Sequence, residues 1–93
     1  MLLHIEYVEP VDAYQLRLRF SNATEKVVDV SPLLQGPVFV PIRDLKVFRQ
    51  VKLDPIAKTV SWPSGADLAP EALLALPEVA DSQASAVVNT ESR

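Results

Sequence analysis

At 93 residues, 48% of them hydrophobic and 23% charged, the chain has room for one globular domain and too much apolar content for wholesale disorder. Its net charge of −3 gives no generic electrostatic case for nucleic acid, and the absence of cysteine excludes disulfides, thiolate chemistry and thiolate metal sites. The start, Met1-Leu2-Leu3-His4-Ile5-Glu6, is not that of a signal peptide, and no run approaches the ~18 apolar residues of a membrane span, so a cytoplasmic protein is expected.

Leu3, Ile5 and Tyr7 alternate with His4, Glu6 and Val8, which predicts a strand whose apolar face carries the first three, ended by Pro10. Tyr14, Leu16, Leu18 and Phe20 alternate with Gln15, Arg17 and Arg19, the cleanest period-two pattern in the chain. After Ser21-Asn22-Ala23, a turn, Thr24 to Val30 predicts a third strand with Val28 and Val30 on one face and Val27 and Asp29 on the other. Short connections make these three a meander.

Ser31-Pro32-Leu33-Leu34-Gln35-Gly36 reads as a compact helical turn, with the serine placed to cap it and the glycine just past its end. Pro37 and Pro41 predict an extended or irregular stretch, after which Asp44 caps a short turn carrying Leu45 and Phe48 to the core at i, i+3 spacing. Gln50 to Asp54 and Thr59 to Trp62 flank Pro55-Ile56-Ala57-Lys58 as a second hairpin, broken by Pro63-Ser64-Gly65. A short helix opening at Asp67-Leu68-Ala69-Pro70-Glu71 runs through Leu76 and stops at Pro77. The expected architecture is therefore α+β: a small antiparallel sheet, made of a three-stranded meander plus a second hairpin, with two or three short helices in a single domain over residues 1–76. Residues 77–93, small and polar, are expected to be a mobile C-terminal tail or a segment that orders against a neighbouring chain, with Val87 and Val88 as its only anchors.

Three stretches together resemble one family: Val28-Asp29-Val30-Ser31-Pro32-Leu33-Leu34 with Gly36 and Phe39; Arg43-Asp44 with Phe48; and Trp62-Pro63-Ser64-Gly65-Ala66-Asp67-Leu68-Ala69-Pro70-Glu71. In that order and spacing the chain resembles the bacterial domain of unknown function 2442 family over about residues 2–76, the Trp-Pro-x-Gly-x-Asp-x-x-Pro-Glu run being the specific part. The resemblance implies a small α+β fold and no established activity. It also implies two settings: companion of another small protein in a toxin–antitoxin-like pair, or regulator with a C-terminal helix-turn-helix. The second setting fits this chain poorly, since only 17 residues follow Leu76. The family's Asp-Gly type of hairpin turn is replaced by Ser21-Asn22-Ala23-Thr24.

Chemistry-bearing residues are sparse. His4, the only histidine, reads as a strand residue rather than a ligand or base. Asp67 and Asp29 read as turn or helix-start residues bonding backbone amides, and Asp29 alternatively pairs with an arginine; with Asp54 they would hold a cation only if the fold converges them. Two widely spaced glycines, Gly36 and Gly65, make no phosphate loop. No catalytic, metal or cofactor residue is assigned, and the chain is expected not to be an enzyme.

The candidate partner-binding residues are Arg17, Arg19, Phe39, Trp62 and Asp67. Arg17 and Arg19, joined by Lys26, form the outer face of the first hairpin, either a solvated face or a basic patch for an acidic surface or RNA. Trp62 is a core lid or, if exposed, a binding anchor, and Phe39 between two prolines is the better candidate for an exposed aromatic. Two functional readings follow: a protein-interaction module, antitoxin-like toward a small neighbouring protein and capable of dimerising through unpaired sheet edges, or a nucleic-acid-associated regulator using the Arg17/Arg19 face.

Overall fold

The computed structural model describes residues 2–79. Strands β1 (Ile5–Pro10), β2 (Gln15–Phe20) and β3 (Glu25–Asp29) form one antiparallel sheet in that order. Strands β4 (Lys52–Asp54), β5 (Thr59–Ser61) and β6 (Asp67–Leu68) form a second. Between them lie a 3₁₀ turn (Ser31–Leu33), a 3₁₀ helix (Pro37–Arg43) and helix α1 (Leu45–Phe48), and helix α2 (Pro70–Ala75) follows β6. The fold is thus small α+β, as the patterning predicts, with one strand more than expected.

In β2 the alternation does what period two requires: Leu16, Leu18 and Phe20 are fully buried while Arg17 and Arg19 stand in water. β1 departs from it. Ile5 pairs with Phe20 but Tyr7 pairs with Arg19, so the register shifts at Glu6 and the strand bulges. A bulge re-aims the side chains beyond it. Ile5 is buried, Tyr7 is 46% exposed on the outer face, and Val8 packs on the core where Tyr7 was expected. The β2–β3 turn closes without glycine: Asn22 Oδ1 accepts from the Thr24 N–H at 3.0 Å, and Ala23 takes φ +72°.

The expected Ser31 cap is not formed: Val30 is the N-cap residue of the 3₁₀ turn and no side chain caps it, while Asp29 Oδ1 accepts the Ser31 N–H at 2.9 Å at its entry. The proline-rich stretch expected to be extended or irregular winds as 3₁₀ helix, entered through Gly36 at φ +89°. Asp44 does cap α1, accepting from the Lys46 N–H at 2.9 Å, and Phe48 is fully buried, but Leu45 is 41% exposed. One turn buries only a narrow stripe. Centred between Phe48 and Val47, that stripe leaves Leu45 about 110° away at 3.6 residues per turn.

Ala69 precedes Pro70, and proline's ring disfavours helical backbone in the residue before it. Ala69 is accordingly extended (φ −66°, ψ 140°), so the helix starts at Pro70, and Asp67 and Leu68 become a strand on β5 instead of the helix opening expected there. Phe48 joins the layers: its ring meets Tyr14 edge-on at 5.4 Å and Trp62 at 5.9 Å, and its carbonyl accepts the Trp62 indole N–H at 2.9 Å. The Tyr14 hydroxyl donates to the Arg43 carbonyl. Lys26, opposite Leu18, sends its ammonium to the C-terminal end of α2, donating to the Leu74 and Leu76 carbonyls, each at 2.6 Å. Beyond α2, Glu78 bridges Val28 and the Val79 N–H donates to the Val27 carbonyl at 2.8 Å, so the chain is held on β3 past the expected boundary at residue 76. The remainder of the expected tail, residues 80–93 with Val87 and Val88, lies outside the described residues. Among the described residues no helix is long and apolar enough to cross a membrane.

Candidate functional site

An array of charged and aromatic side chains lies on the outer face of the first sheet. Register sets two cross-strand rows, Glu9–Arg17–Val27 and Tyr7–Arg19–Glu25. Side chains opposite one another on one face interact directly. Arg17 Nε lies 3.4 Å from Glu9 Oε1, and Arg19 Nε lies 3.7 Å from Glu6 and 3.8 Å from Glu25. Glu6, at the bulge, also meets His4 Nε2 at 3.8 Å. Exposed pairs of this kind contribute about 0.2–1 kcal/mol each, so their main effect is to orient the guanidinium groups.

The Tyr7 hydroxyl donates to Glu9 Oε1 at 3.0 Å. That bond, then desolvation and the Glu9 charge, raises the Tyr7 pKa above its ordinary 10.0, so the phenol stays a neutral donor. A groove of about 720 Å³ runs over this face, bordered by Tyr7, Arg17, Arg19 and Glu25 and reaching Lys26 and Glu78 at the β3 side.

The sequence-predicted residues separate here. Arg17 and Arg19 share the face, and of the two readings, solvated face or basic patch, the charge balance favours the first, because Glu6, Glu9 and Glu25 stand against them. Lys26 does not join them; it points the other way, to α2. Trp62 is 2% exposed and bonded to Phe48, a core residue and no surface anchor. Phe39 packs against the core, and its neighbours Val38 and Val40 are the exposed ones, because 3₁₀ winding turns Phe39 and Ile42 inward together. Asp67 is exposed on β6, with no side-chain bond to backbone among the described residues.

Asp29 and Asp54 each serve a local turn. Asp54 Oδ1 accepts from Ala57 at 3.1 Å and Ile56 at 2.8 Å, and those two bonds, Ala57's first, hold its carboxyl below the ordinary 3.8. No group of three or more His, Asp or Glu side chains suited to a metal occurs among the described residues.

Tyr7 is the site residue that strict alternation misplaces. The readable signal is Val8: two consecutive apolar residues cannot both face inward in a regular strand. The sheet edges expected to be open are partly closed. Glu78 and Val79 cover β3, the Ile5 N–H donates to the Lys58 carbonyl at 2.9 Å, and β1 ends at Pro10, which has no N–H.

A family model described as protein of unknown function (DUF2442) matches residues 5–77. No curated protein and no solved structure matches the chain.

Proposed function

The chain belongs to the DUF2442 family, described as of unknown function, and we propose that it is a non-catalytic protein-binding module whose contact surface is the outer face of the β1–β2–β3 sheet. The observation that carries this reading is the bulge at Glu6, which takes an aromatic side chain out of the core and stands it beside two arginines over a groove. Tyrosine and arginine are the residue types that dominate binding energy when a partner desolvates them. Alternating charge on the same face supplies register and selectivity. The partner so recognised is a folded protein surface with charges of both signs around an apolar centre. The small protein encoded beside this one, in an antitoxin-like pair working in the cytoplasm, is the partner we propose; a second copy of the chain is the other outcome the test distinguishes.

The test is co-expression with the neighbouring gene product, followed by calorimetry on the purified pair. Tyr7→Ala is expected to weaken binding at least tenfold with a nearly unchanged urea midpoint, because the side chain is exposed. Arg17→Glu with Arg19→Glu is expected to abolish binding in a protein that stays folded, with a lower midpoint because three cross-strand ion pairs become like-charge contacts. Undiminished affinity in both variants would refute the assignment. So would salt-dependent binding of duplex DNA lost through the same two arginines.

A further inference from the structure

A second surface, remote in sequence from that face, carries its own signal. A 3₁₀ helix has three residues per turn, so in Pro37–Arg43 Phe39 and Ile42 share the inward side. The residues left outside are Pro37, Val38, Val40 and Pro41, a ridge without a polar side chain, on which Val38 is 52% and Val40 57% exposed. The ridge is held at its C-terminal end. Arg43 donates from Nε and Nη2 to the Leu34 carbonyl at 3.1 and 2.8 Å, and its own carbonyl accepts from Tyr14. Two prolines fix φ along it, so little backbone freedom remains to be lost on binding.

Helix α1 packs against this 3₁₀ helix. Its exposed Leu45 lies one turn from Arg49, and Lys46 three residues from Arg49, spacings that make neighbours on a helical surface. The four ion pairs among the described residues all involve His4, Arg17 or Arg19. Among the described residues Lys46 and Arg49, like Lys52 and Lys58, have none, in a chain of net charge −3.

We propose that the Pro37–Pro41 ridge with Lys46 and Arg49 docks an acidic segment of a partner protein that carries aliphatic side chains between its carboxylates. Charge complementarity selects the acidic partner, and the valine–proline ridge requires the aliphatic side chains. The surface offers no aromatic side chain on which a nucleic-acid base would stack, and Leu45 is its one long apolar side chain, too few for an interfacial membrane helix. The inference does not depend on the sheet face.

The test is a ¹⁵N–¹H NMR titration of the full chain with a short synthetic peptide of glutamates interleaved with leucines. A glutamate–serine peptide, a lysine–leucine peptide, duplex DNA and phosphatidylserine–phosphatidylcholine vesicles are titrated in parallel. The expected result is amide shifts at Val38, Val40, Leu45, Lys46 and Arg49 with the glutamate–leucine peptide alone. Lys46→Glu with Arg49→Glu, and separately Val38→Ser with Val40→Ser, should weaken that binding at least tenfold in proteins that remain folded by the same spectra. No shift, equal binding of the glutamate–serine peptide, or preferential binding of DNA or vesicles would overturn the proposal. Loss through Arg17→Glu and Arg19→Glu instead would assign the binding to the sheet face.

Discussion

Replacing Phe48 by alanine removes the ring that joins the meander to the second sheet. The side chain is fully buried between Tyr14 and Trp62, so the truncation loses the transfer free energy of the ring and leaves a cavity that the two rigid aromatic neighbours cannot fill. Such substitutions cost about 3–5 kcal/mol. A domain of this length holds about 5–14 kcal/mol in total. With a urea dependence of about 1–1.5 kcal/mol per molar for a small protein, the midpoint should fall by about 2–5 M. Trp62, the only tryptophan and 2% exposed, reports the transition by the red shift of its emission. Leu45→Ala is the matched comparison: the same helix, a similar change of residue type, but 41% exposure, so its effect should stay within about 0.5 kcal/mol. A drop below about 0.5 M for Phe48→Ala, or equal effects of the two substitutions, would refute the packing described.

Lys26→Met removes both bonds to the end of α2; a charged hydrogen bond contributes about 1.5–3 kcal/mol, and hydrogen exchange should show Leu73 and Leu76 losing protection while β2 keeps its own. Asp54 has a folded pKa below its unfolded value. Its contribution is therefore fully present above about pH 4 and lost as pH falls through the lower folded value, and Asp54→Asn should flatten that acid limb of the urea midpoint against pH without changing the trend from pH 5 to 7. Glu9→Gln removes the carboxylate that accepts from Tyr7, so in a spectrophotometric titration the Tyr7 phenol should ionise at lower pH than in the parent protein, back toward the ordinary value. Ala23→Gly relieves an alanine at φ +72° and should raise the urea midpoint, by about 0.5–1 kcal/mol of stability.

What was legible in the sequence follows from where local chemistry dominates. β2 and β3 were readable because strict alternation over buried Leu16, Leu18, Phe20 and Val28 leaves one register possible. Asp44 was readable as a cap because its bond is to the backbone two residues on. β6 was hidden because Asp67 and Leu68 are too few to show a period, and their strand depends on a partner, β5, on the far side of the Gly65 turn. The outward turn of Tyr7 was hidden because a bulge is settled by pairing with β2, although Val8 beside it marked the conflict. Arg17 and Arg19 were placed correctly on the outer face; their charge balance was not visible, because Glu6, Glu9 and Glu25 reach them only through cross-strand register. Trp62 is the core lid that its place beside the Pro63-Ser64-Gly65 break allows, whereas the inward turn of Phe39 is not legible between two prolines, because it depends on 3₁₀ winding.

The claim that the outer sheet face is a protein-contact surface is tested most directly by placing a photo-crosslinking phenylalanine analogue at Tyr7, or in parallel at Ile56, which is 90% exposed at the tip of the second hairpin. After irradiation in the native host, the account predicts one discrete crosslinked partner from position 7, none from position 56, and loss of the first when Arg17 and Arg19 are both changed to glutamate. Equal crosslinking from the two positions, or none from position 7, would contradict it.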